Sequence, residues 1–343
     1  MSARRSQPEA ARVRGDAGGR RSIRPRRGVP AALALTLFAA LGAPAPATEV
    51  PAAGGQGGAA ALMRAVEERF RALPRALRLE VVTTRPREQA GAGLPEREEV
   101  GLWGLVGDRG GETSLLFVFT GPRRMRGTGL LLVDRPGGED ALWYHMKTFD
   151  RFKRIPRSSL KLRVPGTCLT YEDAHGFFAA DRYRFSPVAV PAEGGDAVID
   201  ARPRTPELAD DLGFASARVT VDRDRLLVTG VDYRRADGRT LRTYRAGAAL
   251  RLGGAPAAAG ELWLARRARV VDVDSGVVSA LEYFVWPLPE APEPALFATR
   301  VEEEPLLDRM VDALAAWGIA DAATARNSSI RAVTAPSHQG GSQ

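Results

Sequence analysis

The residues with the clearest capacity for chemistry stand together in the segment Tyr171-Glu172-Asp173-Ala174-His175. A carboxylate beside an imidazole suits general acid and base catalysis of hydrolysis, and the same residue types bind metal ions. The alternative interpretation is structural, because acidic residues in the first turn of a helix are stabilised by the helix dipole. We favour the structural interpretation and keep a hydrolase that uses His175 with Glu172 or Asp173 as an open alternative.

Other candidates for catalysis are few. His145 lies in the apolar pattern Leu142 to Met146, which is more typical of a core histidine than of a general base. The single cysteine, Cys168, excludes an internal disulfide and a zinc site of paired cysteines, and we expect it to be a buried small hydrophobic residue. The sequence has no G-x-S-x-G, no H-E-x-x-H and no phosphate-binding glycine loop. We therefore predict no enzyme activity, no catalytic residue, no metal site and no cofactor.

A basic segment runs from Lys147 to Arg163, with seven cations, one acid and all three lysines of the chain. Such a density of charge is found in nucleic-acid sites, in surfaces that meet anionic lipid, and in solvated hairpins. A face that docks on a membrane protein is a further possibility. The residues that we assign to a candidate docking patch are Arg151, Lys153, Arg154 and Arg157.

The charge of the whole chain is concentrated at its N-terminus. The 343 residues carry a net charge of +8, and residues 1–47 contribute nine arginines and two acids, which leaves the rest of the chain at +1. An apolar run from Val29 to Leu41 and the small-residue site Ala45-Pro46-Ala47 follow the arginines. This order predicts a signal peptide at 1–47, cleaved near Ala47, and a periplasmic protein without an N-terminal lipid anchor. Because export separates the protein from nucleic acid, we predict no nucleic-acid partner.

The pattern of the mature chain is mainly that of β-strands. After a Gly/Ala linker at 48–60, apolar residues from Leu62 to Leu73 recur at helical spacing, and from Leu77 the period becomes two. About a dozen strand candidates follow, among them Glu261–Val273, separated by turn signals such as Asp237-Gly238. The lack of helices between them predicts one antiparallel sheet, which either stacks into a sandwich or curls into a barrel or half-barrel. A second helix is predicted from Glu304 to Ile319 within a C-terminal segment at 301–322, followed by a disordered tail at 323–343.

Large aromatic side chains recur along these strands. They form an ordinary core in one interpretation, and in the other they line an apolar cavity inside a curled sheet. The period alone favours the core. The residues that we assign to a candidate lipid-binding cavity are Trp103, Phe117, Phe119, Trp143, Tyr283 and Phe284.

Several short motifs resemble those of the periplasmic outer-membrane lipoprotein-sorting proteins, the LolA-like family. The similarity covers roughly residues 62–300. The motifs are the Gly-Thr-x-x-Leu strand at Gly127–Leu131, Trp143-Tyr144 followed by the basic residues Arg151 and Lys153-Arg154, the element Gly166-Thr167 with Tyr171-Glu172-Asp173, the hairpin that turns at Asp237-Gly238, and a closing segment at Phe297.

The resemblance implies a mainly β fold, a strongly curved antiparallel sheet that forms an incomplete barrel with a covering N-terminal helix, here at 61–300. It also implies an apolar concave face that binds acyl chains. We therefore expect a periplasmic, non-enzymatic carrier of lipoprotein acyl chains or other lipids. The first alternative is an accessory protein that carries nothing and docks on an RND-type inner-membrane exporter through its basic hairpin.

Overall fold

The computed structural model describes residues 55–319, apart from residues 73, 91–93, 110, 136–139, 150, 176–177, 190–194, 253–260 and 300–304. The predicted signal peptide, most of the predicted linker and the predicted tail lie outside these residues. None of the helices in the described part is long and apolar enough to cross a membrane.

The described chain is mainly β, with fifteen strands and four α-helices. The strands are Arg75–Thr84 (β1), Arg97–Arg109 (β2), Glu112–Gly121 (β3), Gly129–Asp134 (β4), Ala141–Met146 (β5), Arg151–Ile155 (β6), Tyr183–Ala189 (β7), Asp196–Pro203 (β8), Ser216–Asp222 (β9), Leu227–Arg234 (β10), Thr240–Ala246 (β11), Ala249–Leu252 (β12), Leu262–Ala265 (β13), Arg267–Asp272 (β14) and Val278–Pro287 (β15). The α-helices are Gly55–Arg71 (α1), Arg87–Ala90 (α2), Pro206–Leu212 (α3) and Leu306–Ala316 (α4).

Thirteen of the strands form one antiparallel sheet in the order β6-β5-β4-β3-β2-β1-β15-β14-β11-β10-β9-β8-β7. Nearly every strand therefore lies beside its neighbour in the chain, and the first and last strands, β1 and β15, pair in the middle of the sheet. The sheet is not closed into a barrel, because β6 and β7 remain its two edges. The predicted fold class, an incomplete antiparallel barrel with covering helices, is confirmed.

Both faces of the β1–β5 half of the sheet are covered, which explains why strands such as β3 are apolar on both sides. The concave face packs against α1 through Leu62, Met63 and Val66. The convex face packs against α4 through Met310 and Leu314, which are fully buried. Because each helix needs an apolar surface beneath it, alternation between buried and exposed residues disappears where two helices flank one sheet.

The N-terminal helix begins earlier than the sequence indicated. We predicted a linker at 48–60, but residues 55–60 are already helical. Ala59 is fully buried in the concave core. The small side chains that resemble a linker are therefore the residues that let this first helical turn approach the sheet closely.

One predicted strand is in fact two. The segment Glu261–Val273 divides at Arg266 into β13 and β14, because β13 leaves the main sheet and pairs with β12 in a separate two-stranded hairpin. The backbone at Arg266 joins both parts, since its N–H donates to the Ala248 carbonyl at 2.6 Å and its carbonyl accepts from Tyr283 N–H at 2.9 Å. The segment contains no glycine or proline that would reveal this break.

Candidate functional site

The concave face encloses an apolar cavity of about 200 Å³. Its walls come from the central strands, from α1, from the β12–β13 hairpin, and from residues of the segment 164–174 and Phe178. The apolar residues that line it include Val66, Phe70, Leu77, Leu79, Val81, Leu102, Leu115, Phe117, Leu130, Val228, Val231, Leu262, Trp263, Leu264, Val270, Tyr283 and Val285.

The floor of the cavity follows from the period of the strands. Leu77, Leu79 and Val81 are alternate residues of β1 and therefore share one face. Leu79 lies between Leu102 of β2 and Tyr283 of β15 in the sheet register. The row of alternate residues on β1 thus forms the central line of the floor.

The cover consists of α1 and the β12–β13 hairpin. Val66, Arg69 and Phe70 of α1 line the cavity, as do Leu262, Trp263 and Leu264 of β13 in the hairpin. Arg69 links the two parts, since its guanidinium donates to the Glu261 carbonyl at 2.6 Å. The β12–β13 hairpin pairs with no strand of the main sheet, so strand pairing does not hold it against the floor.

One end of the cavity is bounded by two carboxylates that are fully engaged in hydrogen bonds. Glu172 accepts from Arg182 at 3.0 Å and from the Tyr183 hydroxyl at 2.7 Å. Asp173 accepts from Arg242 at 2.9 Å and from the Tyr233 hydroxyl at 2.7 Å. We call this the carboxylate end.

The electrostatics of the carboxylate end are those of a structural network. Burial and the adjacent carboxylates raise the pKa of Tyr183 and of Tyr233, so both hydroxyls stay protonated and donate. Burial lowers the pKa of Arg182, but its electrostatic interactions with Glu172, Tyr183 and Asp140 and the hydrogen bond to Glu172 together outweigh it, and the net shift is upward. The acidic helical turn that we predicted is a 3₁₀ turn, Asp173–His175, and its anchor is ion pairing rather than a helix dipole. The His175 side chain lies outside the described residues.

Two arginines also line the cavity, and we call this part of the wall the arginine end. Arg75 is 1% exposed, donates to the Phe70 carbonyl at 2.8 Å and lies 4.3 Å from the centroid of the Phe70 ring. Burial lowers the pKa of Arg75 to about 9, which still leaves the side chain charged at neutral pH. Arg69 of α1 is half-buried and lines the same cavity.

The structure divides the six aromatic residues assigned to the cavity. Phe117 and Tyr283 line it, and Phe119 is buried in the same concave core without lining it. Trp103 and Trp143 lie instead in the core beneath α4 on the convex face, where Trp103 packs 5.1 Å from Trp286.

Phe284 also faces away from the cavity, between the guanidinium groups of Arg78 at 4.1 Å and Arg266 at 4.4 Å. The assignment of Trp103, Trp143 and Phe284 to the cavity is therefore corrected. Alternation shows which residues share a face, but it does not show which of two apolar faces is concave.

The four residues of the candidate docking patch share an edge of the sheet but not a face. Arg151, Lys153 and Arg154 are exposed on the edge strand β6. Successive residues of a strand point to opposite faces, so Arg154 is on the side opposite to Arg151 and Lys153. Arg157 lies beyond the strand in a 3₁₀ turn and is 3.9 Å from Asp211.

His145 and Cys168 have the structural environments that the sequence predicted. His145 is 1% exposed, and its Nδ1 is 3.2 Å from the Gly127 carbonyl. Cys168 is buried, its N–H donates to Ser279 Oγ at 3.0 Å, and burial raises the pKa of its thiol. Among the described residues no group of three His, Cys, Asp or Glu side chains is placed to hold a metal ion.

Two parts of the site were not predicted from the sequence. The arginine end was missed. A usable signal was present, because Arg75 places a charge at the first of the inward positions Arg75, Leu77, Leu79 and Val81. The β12–β13 hairpin was missed because residues 253–260 separate its strands and its apolar side chains resemble ordinary core.

Comparisons with known proteins agree with the fold. A domain described as an outer membrane lipoprotein-sorting protein from Vibrio parahaemolyticus is 18% identical, with a TM-score of 0.56, over 68% of this chain and 94% of that one. A DUF1329 family protein from Desulfovibrio piger is 15% identical, with a TM-score of 0.58, over 71% of this chain and 97% of that one. A LolA superfamily protein from Nitrosomonas europaea is 17% identical, with a TM-score of 0.50, over 70% and 97% of the two chains.

At the level of sequence, a comparison with curated proteins finds no match. A family model with the description "uncharacterized protein" matches residues 111–287, more than half of the chain. The solved structures in turn share the architecture that the motifs at Gly127–Leu131 and Trp143-Tyr144 suggested. The chain therefore belongs to the family whose model covers residues 111–287, and its fold is that of the LolA-like lipoprotein-sorting proteins.

Proposed function

We propose that the protein is a periplasmic, non-enzymatic carrier that binds the acyl chains of lipoproteins or of other lipids and hands them on toward the outer membrane. The observation that carries the proposal is the apolar cavity of about 200 Å³ between the concave face, α1 and the β12–β13 hairpin. Burial of each CH₂ group contributes about 0.8 kcal/mol, so part of one acyl chain already supplies useful and reversible affinity.

The details of the cavity suit reversible binding. Its floor is a regular sheet, which is held by backbone hydrogen bonds on both sides of β1, and its cover is assembled from separate elements. A ligand that enters by displacing the cover leaves the floor intact. The similarity in fold to lipoprotein-sorting domains supports the same type of function.

The test is a matched pair of substitutions on β15. Val285 lines the cavity and is half-buried, whereas Val278 lies on the same strand but points to the other face. We expect Val285→Phe to weaken the binding of a fluorescent fatty acid by about tenfold, because the ring occupies the cavity, and Val278→Phe to leave it unchanged. Equal effects of the two variants, or no bound lipid in native mass spectrometry of the wild type, would contradict the proposal.

A second candidate function rests on the exposed cations of β6. An accessory protein that docks on an RND-type exporter would use Arg151, Lys153 and Arg154 at the sheet edge, where long-range attraction to an acidic surface is least obstructed. Reversal of these three charges to Glu should then abolish association with the co-expressed exporter and leave fatty-acid binding intact. Normal association after the reversal would exclude this role for the edge.

A further inference from the structure

Leu226, in the turn between β9 and β10, has a backbone conformation that leucine rarely adopts. Its φ angle is 50°, in the left-handed region, and in the described part of the chain it is the only residue other than glycine with a positive φ. A side chain in this region crowds the neighbouring carbonyl group, so glycine is the usual residue at such positions. The turn therefore holds Leu226 under backbone strain.

Other turns of the sheet show what this position ordinarily needs. The β2–β3, β10–β11 and β14–β15 turns each contain a glycine with a positive φ, at Gly111, Gly238 and Gly276. A glycine at position 226 would satisfy the same geometry without strain. The reason for a leucine here therefore lies in the contacts of its side chain rather than in its backbone.

The side chain of Leu226 lies in the wall of the apolar cavity. Leu226 is 8% exposed and belongs to the concave core, and it lines the cavity together with Leu227 and Val228. Leu227 and Val228 belong to β10 and pair with β9, whereas Leu226 precedes the strand and lies outside this pairing. This part of the wall can therefore move without loss of strand pairing.

The turn is also joined to the hairpin that covers the cavity. Arg225 is exposed, and its guanidinium lies 5.0 Å from the centroid of the Trp263 ring, which lines the cavity from β13. Asp222 fixes Arg225, since it accepts from the backbone N–H at 3.0 Å and from the guanidinium at 2.7 Å. Because the β12–β13 hairpin pairs with no strand of the main sheet, the hairpin and the turn around Leu226 can move together.

We propose that Leu226 limits the length of the acyl chain that the cavity accepts, and that a long chain is admitted when the turn leaves its left-handed conformation and withdraws this side chain. The inference rests on the proposed carrier function and adds a chain-length selectivity to it. A short chain occupies the closed cavity of about 200 Å³ and leaves Leu226 in place. A long chain needs the space that Leu226 fills, and relief of the backbone strain offsets part of the cost of displacing it.

The first experiment compares carboxylic acids that differ only in chain length. Decanoate and palmitate compete with a fluorescent acyl probe for the full-length protein, and the readout is the ratio of their affinities. We expect Leu226→Ala to shift this ratio toward palmitate by at least about tenfold, since each further CH₂ group that is buried strengthens binding about fourfold. Leu226→Gly should shift the ratio in the same direction, and its backbone suits the turn even if the alanine variant does not fold.

Leu212→Ala is the matched control. Leu212 is a buried leucine of the same concave core, but it belongs to α3 and does not line the cavity. Its replacement should lower the melting temperature and leave the ratio of the two affinities unchanged. The circular dichroism melting curve of each variant establishes that it is folded.

A second comparison tests the movement of the turn. At a positive φ alanine is strained and glycine is not, so without lipid Leu226→Gly should melt at a higher temperature than Leu226→Ala. If a long chain moves the turn out of this conformation, binding relieves strain in the alanine variant alone. We then expect Leu226→Ala to bind palmitate at least about fivefold more tightly than Leu226→Gly, which corresponds to the cost of a left-handed residue.

The possible results separate the two proposals. An unchanged affinity ratio in the folded Leu226 variants, or equal affinity of Leu226→Ala and Leu226→Gly for palmitate, overturns the inference about Leu226 while the carrier function stands. Failure of the wild type to bind either acid overturns both.

Discussion

At the scale of single residues, two glycines decide how closely large side chains approach the sheet. A Cβ atom on Gly104 would lie 2.9 Å from side-chain atoms of Leu77 and Phe117, so this glycine makes room for the cavity floor. A Cβ atom on Gly129 would lie 2.7 Å from Leu306 Cδ2 and 3.0 Å from the Phe117 carbonyl oxygen. Gly129 therefore fixes the distance between β4 and the start of α4.

We expect Gly129→Ala to lower the stability by about 1–3 kcal/mol, because the backbone oxygen of Phe117 cannot move aside and α4 must shift. The melting temperature measures this loss. Gly57→Ala in α1 is the control, since no atom lies within 4 Å of its added Cβ and alanine favours the helix. A stable Gly129→Ala protein would show that α4 is not closely packed at this point.

A second residue-scale prediction concerns pH. Asp134 at the end of β4 forms an ion pair with Arg71 of α1, and burial together with the nearby Asp140 carboxylate raises its pKa to about 7. Asp140 itself lies 3.5 Å from Arg182. Because the native state holds the proton of Asp134 more tightly than the unfolded chain does, this group makes the free energy of unfolding fall as the pH rises from about 4 to about 7.

Asp134→Asn imitates the protonated acid and should flatten this dependence. Relative to the wild type, we expect the variant to gain at least about 1.4 kcal/mol between pH 5 and pH 8, the free energy of one pKa unit. Denaturant unfolding at the two pH values measures the gain, and Asp224→Asn in the exposed β9–β10 turn provides the control. A constant difference between variant and wild type would contradict the raised pKa.

At the scale of elements, the two faces of the sheet have separate roles. The face under α1 and the β12–β13 hairpin forms the cavity, and the face under α4 forms core only. The β12–β13 hairpin supplies cavity wall with little support for the main sheet, whereas α4 supplies core with no cavity wall among the described residues. Substitution of Trp263 in the hairpin should therefore mainly weaken binding, and substitution of Trp103 under α4 should mainly lower stability.

We expect Trp263→Ala in the hairpin to weaken fatty-acid binding with a small change in melting temperature, because its half-buried ring lines the cavity and contacts Arg225 at 5.0 Å. Trp103→Ala, which removes a fully buried ring on the convex face, should cost about 3–5 kcal/mol and leave the affinity of the folded protein unchanged. Lipid titration and thermal unfolding of both variants test this prediction. The reverse pattern would indicate that the cavity lies on the convex face instead of the concave face.

The same separation explains what the sequence could predict. Strands and their alternation are local properties, so most of the sheet, both long helices and the inward positions of Phe117 and Tyr283 could be anticipated. The concave face is defined by contacts distant in sequence, with α1 on one side and α4 on the other. Trp103 and Trp143 therefore looked equivalent to Phe117 until the covering helices were known, and the division of Glu261–Val273 depended on the partner strand β12.

At the scale of the whole molecule, the size of the cavity has a mechanical consequence. A volume of about 200 Å³ lies below the ~300–1,000 Å³ of typical ligand pockets, although it exceeds the ~150 Å³ of an engineered apolar cavity that binds benzene. A complete long acyl chain therefore requires the cover to move, and we expect the hairpin to move because it pairs with no strand of the main sheet.

We expect lipid binding to change hydrogen exchange in β12–β13 and at the C-terminal end of α1, and to leave the amides of β1 and β15 unchanged. The central strands have pairing partners on both sides and open only with the global unfolding of the sheet. Exchange measured by mass spectrometry with and without palmitate tests this, and a change confined to the central strands would argue against movement of the cover.

The pairing of β1 with β15 also sets the order in which this protein can fold. β1 to β6 lie side by side in chain order, so that half of the sheet can grow through successive hairpins, as can most of the other half. The two halves meet only when residues such as Thr83 and Ser279, 196 positions apart, come together. Such a distant closure is slow, and until it occurs β1 is an open apolar edge that invites aggregation. The strand that forms the middle of the finished floor is therefore the most vulnerable part of the unfinished chain.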